Sequence, residues 1–211
     1  MTPARRKFTR EEPETRRAGL IAAALDLLAE AGPTVTTVRA IAEAAGLSPG
    51  MIRHHFTSKE DLLDAAYRAH MARQTEGAER GLGPGSARGR LRRFVSASLT
   101  PPVVDPRAVS LWAAFLHMVR RDPAMRATHE ETYLAYRDRL QALVAAALAE
   151  AGCAAAEAEL RRLAIACNAV IDGLWLEGGV LPEAFVAGEI ESIGLASVGG
   201  LLGLDLLEDT P

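Results

Sequence analysis

Residues 36–67 read TTVRAIAEAAGLSPGMIRHHFTSKEDLLDAAY, and the fold turns on how this stretch is punctuated. Thr36 or Thr37 can cap a short helix over Val38 to Ala45, whose inward face would be Val38, Ile41, Ala42 and Ala45. Gly46 stops it, because a residue just past a helix end takes left-handed dihedrals most easily without a Cβ. Ser48-Pro49 then restarts the chain: Ser can accept from an orphan amide, and Pro suits the first helical position. A third helix from Pro49 to about His55 follows, and Ser58 caps a fourth through Leu62, Leu63, Ala66, Tyr67 and His70.

Two short helices crossing steeply need a small residue at closest approach and a tight turn, which Ala42 and Gly46 supply. With Ile52 and Phe56 turned inward, the third helix keeps Gly50, Met51, Arg53, His54 and His55 for the outside. That set suits a DNA major groove: a guanidinium for guanine edges, imidazoles for acceptors and a glycine for close approach. Thr37, Arg39 and Lys59 flank it and can grip phosphates, and Ser48 and Pro49, which start the helix, complete the expected DNA-binding set. Double-stranded DNA is therefore the first expected partner.

Upstream, Leu20, Ala24, Leu27, Leu28 and Ala31 recur at helical spacing until Gly32-Pro33. Downstream, Gly81-Leu82-Gly83-Pro84-Gly85-Ser86 is the clearest breaker, and helices are expected at 86–99, 105–120, 123–151, 156–178 and 183–203. The glycines of that breaker do not read as a phosphate loop, since no strand precedes them and no Lys-Ser/Thr follows. The predicted fold is all-α, about nine helices. It comprises a flexible basic arm (1–13), a three-helix helix-turn-helix domain (14–75) and a helical ligand-sensing and dimerisation domain (76–211).

Composition agrees. Apolar residues make up 49% of the 211-residue chain and aromatics only 5%, a balance in which Ala and Leu replace the β-branched residues of sheets. The net charge of -3 hides an asymmetry, for residues 151–211 carry 2 Lys+Arg against 10 Asp+Glu. A polyanion is repelled there and tolerated near Arg5, Arg6, Lys7 and Arg10. Cys153 and Cys167 have neither metal-ligand spacing nor disulfide-scaffold density. The first 14 residues lack an apolar core, and the longest uncharged run, Ser192 to Leu204, is short for a span of about 20 residues. A soluble cytoplasmic protein without membrane attachment is expected.

The stretch Thr36 to Tyr67 resembles the DNA-binding segment of TetR-type regulators, a similarity that covers residues 14 to 70. The pieces SPGMIRHHF, SLWAAFLHMVRRDP (Ser110 to Pro123) and AVIDGLWLEGG (Ala169 to Gly179) are similar to the BetI-like, choline-responsive branch. His55 stands where many members carry a tyrosine, and Glu177 is an acid where a base is expected. The resemblance implies a dimeric repressor with an all-helical sensor domain.

In the second half, Phe94, Trp112, Phe115 and Trp175 are large aromatics in an aromatic-poor chain, and Asp172 lies one turn from Trp175. Core packing is one reading; the other is an effector pocket in which aromatic faces and Asp172 hold a small organic cation. A neutral hydrophobic effector is the alternative. His117 and His129 fall on different predicted helices without a third ligand, so no metal and no cofactor are expected. The last two helices are rich in small residues and form an apolar end that is either intramolecular core or a two-fold interface; the resemblance implies the interface, with Leu163, Cys167, Val170, Ile171, Ile190, Gly194, Ser197 and Leu201 in it. No paired carboxylate and histidine, no nucleophile with its base and no phosphate cradle supports an enzyme. A helical interaction module without DNA remains a second alternative, which a gel shift with the DNA upstream of the gene separates.

Overall fold

Residues 13–208 are described by the structure, a computed structural model, and the basic arm expected at Arg5 to Arg10 lies outside them. Among the described residues the order is α1 (Pro13–Val35), α2 (Val38–Ala44), α3 (Pro49–His55), α4 (Lys59–Glu79), α5 (Ala87–Ser98), α6 (Pro106–Val119), α7 (Pro123–Glu150), α8 (Glu157–Val180), a 3-10 turn (Pro182–Ala184) and α9 (Glu189–Leu202), with no strand. The final helix therefore starts later than the expected residue 183, since Gly188 at φ 79° ends the turn before it.

Local chemistry sets most of these boundaries. Gly32 at φ 76° and ψ 179° interrupts α1, so Pro33 to Val35 form a separate turn, tied back by the Thr36 hydroxyl donating to the Gly32 carbonyl at 2.8 Å. Ser86, Asp105 and Asp122 each accept from an amide of the following first turn. The Glu150 carboxylate adds a second cap to α5, taking the Ala87 and Arg88 amides at 2.8 and 2.9 Å. Each such cap stabilises its helix by about 1 kcal/mol.

The chain divides into two compact units, one closing at Ala66 and the other opening at Tyr67. The division falls inside α4, not near residue 76 or at the Gly81–Ser86 breaker. Its cause is packing of the later half of α4: Tyr67 lies against Phe115 (centroids 4.6 Å), and Arg68 pairs with Glu131 at 2.7 Å. In the first unit Leu20, Ala24, Leu28, Ile41, Ala42, Ile52, Phe56 and Leu62 are buried.

In the second unit α5 packs on α7, α7 on α8 and α8 on α9. Its core joins Leu91, Phe94 and Val95 of α5, Leu140, Val144 and Ala147 of α7, Cys167 and Ile171 of α8, and Leu195 and Val198 of α9. Each large side chain so buried contributes about 1.5–3 kcal/mol. Small residues set the approach of the helices. A Cβ on Gly178 would sit 2.2 Å from Ile190 Cδ1, one on Gly179 2.3 Å from Val109 Cγ2, and one on Gly194 2.0 Å from Leu99 Cδ1.

This packing corrects most of the expected two-fold interface. Cys167, Ile171 and Gly194 are buried inside their own unit, and Leu163, Val170 and Ile190 pack against the same core. Ser197 is half-buried, and Leu201 is exposed. The exposed stripe lies at a different phase of the same helices: Ile165, Ala169, Gly173, Leu176 and Val180 on α8, with Ile193, Ala196, Gly200 and Leu201 on α9. An i, i+4, i+8, i+11, i+15 progression keeps the α8 residues on one face.

Candidate DNA-binding surface and effector cavity

The turn between α2 and α3 is closed by two backbone hydrogen bonds. Leu47 N–H donates to the Ala42 carbonyl at 2.8 Å and Gly46 N–H to the Glu43 carbonyl at 3.0 Å, with Gly46 at φ 66°. This is the 6→1 and 5→2 pair of a Schellman motif. Thr37, not Thr36, caps α2, its hydroxyl accepting from the Ala40 amide at 3.2 Å. The expected side-chain cap at Ser48 is absent: its backbone carbonyl accepts from the Met51 amide at 2.9 Å, while the hydroxyl makes no cap bond. Pro49 does occupy the first turn. Ser58 caps α4, accepting from the Asp61 amide at 3.0 Å.

Burial of Ile52 and Phe56 fixes the roll of α3. Arg17 adds to this anchor, its guanidinium carbon 4.8 Å from the centre of the Phe56 ring. Gly50, Arg53 and His54 are consequently exposed on α3, with Met51 and His55 half-buried. Thr37, Arg39, Ser48 and Pro49 are exposed beside them, and Lys59 is half-buried. The Arg53 guanidinium, the His54 imidazole and the bare Gly50 position are thus exposed together on one short helix, with the His55 imidazole half-buried beside them.

In the second unit a cavity of about 230 Å³ is lined by side chains of α4, α5, α6, α7 and α8, together with Val103. Trp112 of α6 and Trp175 of α8 meet in it at 5.8 Å between centroids and 77°, edge to face. The Trp175 indole donates to the Val103 carbonyl at 2.8 Å, which fixes its plane. Asp172 lies one turn earlier on α8. Its Oδ2 accepts from the Tyr133 hydroxyl at 2.5 Å and from Asn168 Nδ2 at 2.9 Å, leaving Oδ1 clear of both bonds. Burial pushes the Asp172 carboxyl above its ordinary pKa, while the Tyr133 and Asn168 bonds act the other way. Burial and the neighbouring carboxylate push Tyr133 up to about 12. Tyr136 completes that wall; since Ser98 donates to the Phe94 carbonyl at 2.8 Å, the Tyr136 hydroxyl donates to Ser98 at 2.9 Å.

Of the five residues expected to bind an effector, Trp112, Asp172 and Trp175 line this cavity. Phe94 and Phe115 do not, and that is a correction. Both are fully buried one layer behind it, Phe94 against Tyr136 (5.2 Å) and Phe115 against His70 (6.1 Å). Tyr133, Tyr136, His70 and Gln74 are lining residues that the sequence reading passed over, and Ile171 lines the cavity instead of an interface. The available signal was the spacing of Tyr133 and Tyr136, three apart on one helix in a chain with only three tyrosines. His129 does not stand free for a metal: its Nδ1 lies 2.5 Å from the Tyr67 hydroxyl, and its ring stacks on Tyr133 at 5.3 Å.

Residues 20–66 match the bacterial regulatory proteins of the tetR family, and residues 87–203 match the C-terminal domain of BetI-type transcriptional repressors. The HTH-type transcriptional regulator BetI of Burkholderia thailandensis is 33% identical over 176 residues, 82% of this chain and 86% of that protein. A transcriptional regulator of Pseudomonas aeruginosa PAO1 superposes with a TM-score of 0.83 at 35% identity, covering 94% of this chain and 95% of that one. A regulator from Saccharomonospora viridis, crystallised in complex with choline, shares the fold with a TM-score of 0.69 at 22% identity, covering 91% and 97%. With the helix-turn-helix in the first unit and the matched sensor domain in the second, the chain belongs to the TetR family of transcriptional regulators, is not an enzyme, and carries a BetI-type C-terminal domain.

Proposed function

We propose that the protein is a homodimeric repressor that leaves a near-palindromic operator when a small organic cation enters the cavity of its second unit. The observation that carries this reading is the lining itself: two indoles at 77° and the Asp172 carboxylate share one small apolar enclosure. A quaternary ammonium desolvated against aromatic faces gains about 2 kcal/mol or more, and a carboxylate adds attraction that a neutral molecule does not feel. The volume, about 230 Å³, lies below the roughly 300–1,000 Å³ of drug-sized pockets. That favours a compact effector over a long acyl chain. The choline held by the Saccharomonospora viridis regulator is a molecule of this class.

On the DNA side, Arg53, His54 and Gly50 would face base edges, and Arg39, Thr37 and Lys59 the phosphates. Two copies would place their α3 helices in successive major grooves about 34–36 Å apart, or somewhat more. The exposed stripe of α8 and α9 is the surface proposed for pairing, and the work is done in the cytoplasm, where the DNA is.

The test is calorimetric titration of the full chain with choline and with its uncharged carbon isostere 3,3-dimethylbutanol, alongside a gel shift on the DNA upstream of the gene. Choline should bind more tightly and release DNA. Equal binding and release by the neutral compound would replace the cation with a hydrophobic effector.

A further inference from the structure

The cavity of the second unit is not fully closed by its own protomer. Of the described residues that line it, only Gly173 and Leu176 are exposed, and both lie on α8. Both also belong to the outer apolar stripe of that helix, with Ile165, Ala169 and Val180. Asp172 and Trp175 precede them by one residue each, which turns those side chains about 100° away, toward the interior. The wall that carries the carboxylate and the indole thus ends where the stripe begins, and the mouth of the cavity opens onto the stripe.

Gly173 is not required by its own protomer. It stands inside α8, where glycine loses more conformational entropy than alanine. A Cβ there would meet nothing within 4 Å, and neither would one on Gly200 in the α9 part of the stripe. Neither glycine has a positive φ. Gly178, Gly179 and Gly194 differ, because a Cβ on each would collide with a side chain of the same protomer. Bare helical positions that neither the backbone nor the protomer demands suit close approach by another chain. The stripe is uncharged and alternates large residues (Ile165, Leu176, Ile193, Leu201) with small ones (Ala169, Gly173, Ala196, Gly200), as a self-complementary two-fold contact needs.

We infer that the cavity is a shared site: a second copy of this chain, paired through the stripe of α8 and α9, lies across Gly173 and Leu176 and supplies the wall that the protomer lacks. This rests on the pairing face proposed above and is independent of the charge of the effector. A molecule held in the cavity then touches both copies. Occupancy and pairing therefore favour one another, by the reciprocity of linked equilibria.

Fluorine NMR of the full chain grown with fluorotryptophan tests this, because Trp175 adjoins the mouth and both tryptophans line the cavity. The probe is a neutral gadolinium chelate, which broadens resonances that lie close to bulk solvent. Leu201→Glu and Ile165→Glu interrupt the stripe at exposed positions outside the lining, and Gly173→Leu fills a position where the protomer has room. Ultracentrifugation gives the state of each sample and circular dichroism its fold. The wild type should be a dimer with a protected Trp175 resonance. The glutamate variants should be folded monomers in which that protection is lost, as it should be on dilution of the wild type to monomers, which decides if a variant fails to fold. Gly173→Leu should fold and fail to pair. Equal broadening in dimer and monomer would overturn the shared wall and leave the pairing face standing. A monomeric wild type, or variants that stay dimeric, would overturn the pairing face and the shared wall together.

Discussion

The Tyr133 hydroxyl and the Asn168 amide both donate to one oxygen of Asp172, at 2.5 and 2.9 Å, and so turn the carboxylate without saturating it. Burial raises the pKa of this group in the unliganded protein. A permanently charged ammonium favours the ionised form, so binding and proton release are linked below that pKa. Affinity for choline should therefore fall as the solution is acidified through that raised pKa. His70 gains positive charge in the acid range beside Arg73 and Arg107, and Asp172→Asn separates its effect. That variant should bind choline about tenfold more weakly or worse at pH 7, with a shallower acid limb. Calorimetry across pH is the measurement, and an unchanged Asp172→Asn would remove the carboxylate from the site.

Acid should also weaken the fold through its buried imidazoles. The folded pKa of His70, about 4, lies below the ordinary 6.5, and burial lowers His129 as well. The unfolded chain takes up these protons first as pH falls. Stability is thus fully present above about 6.5 and is lost between there and 4, by up to about 3 kcal/mol for His70. Urea unfolding of the wild type and His70→Leu at pH 7 and pH 5 should show a smaller pH effect in the variant.

Arg53 and Arg39 should fail differently when truncated. A side chain reading a base edge costs about 1–3 kcal/mol at one base pair and alters preference, whereas a phosphate contact is lost on every sequence. Arg53→Ala should change which operator variant wins a competition binding assay. Arg39→Ala and Lys59→Ala should weaken all sequences alike and reduce the log-log salt slope by about 0.9 each. A uniform loss with Arg53→Ala would move that residue to the backbone.

Gly194 and Leu201 lie two turns apart on α9 and make opposite predictions. A side chain at Gly194 would press on Leu99 Cδ1 and Leu174 Cδ1 inside the unit, so Gly194→Val should cost stability, about 1–3 kcal/mol by overpacking. Leu201 is exposed, and Leu201→Glu should leave thermal stability of the protomer nearly unchanged while splitting the dimer in analytical ultracentrifugation.

The helix-turn-helix could be read from the sequence because its determinants are local: a glycine, a Ser-Pro step and two inward apolar side chains within 20 residues. Even there one detail was not local, since the Ser48 hydroxyl could cap but does not. The cavity was half legible. Trp112 and Trp175 declared themselves by rarity and Asp172 by lying one turn from Trp175, but Tyr133 and Tyr136 belong with them only because α7 packs on α8. The roll of α8 was ambiguous for a physical reason. Its apolar residues cover more than one face, and Cys167 and Ile171 look as fit for an interface as Ile165 and Leu176 until the position of α9 is known.

The chain contains two tryptophans, and both stand in the cavity wall within 5.8 Å of each other. All of the protein's indole emission therefore originates at this cavity, with no background from elsewhere in the fold. A cation seated on those rings alters their quantum yield and the exciton coupling between them, so an unlabelled sample reports occupancy optically. Trp112→Phe and Trp175→Phe would divide that signal into its two halves and show which indole a given compound touches.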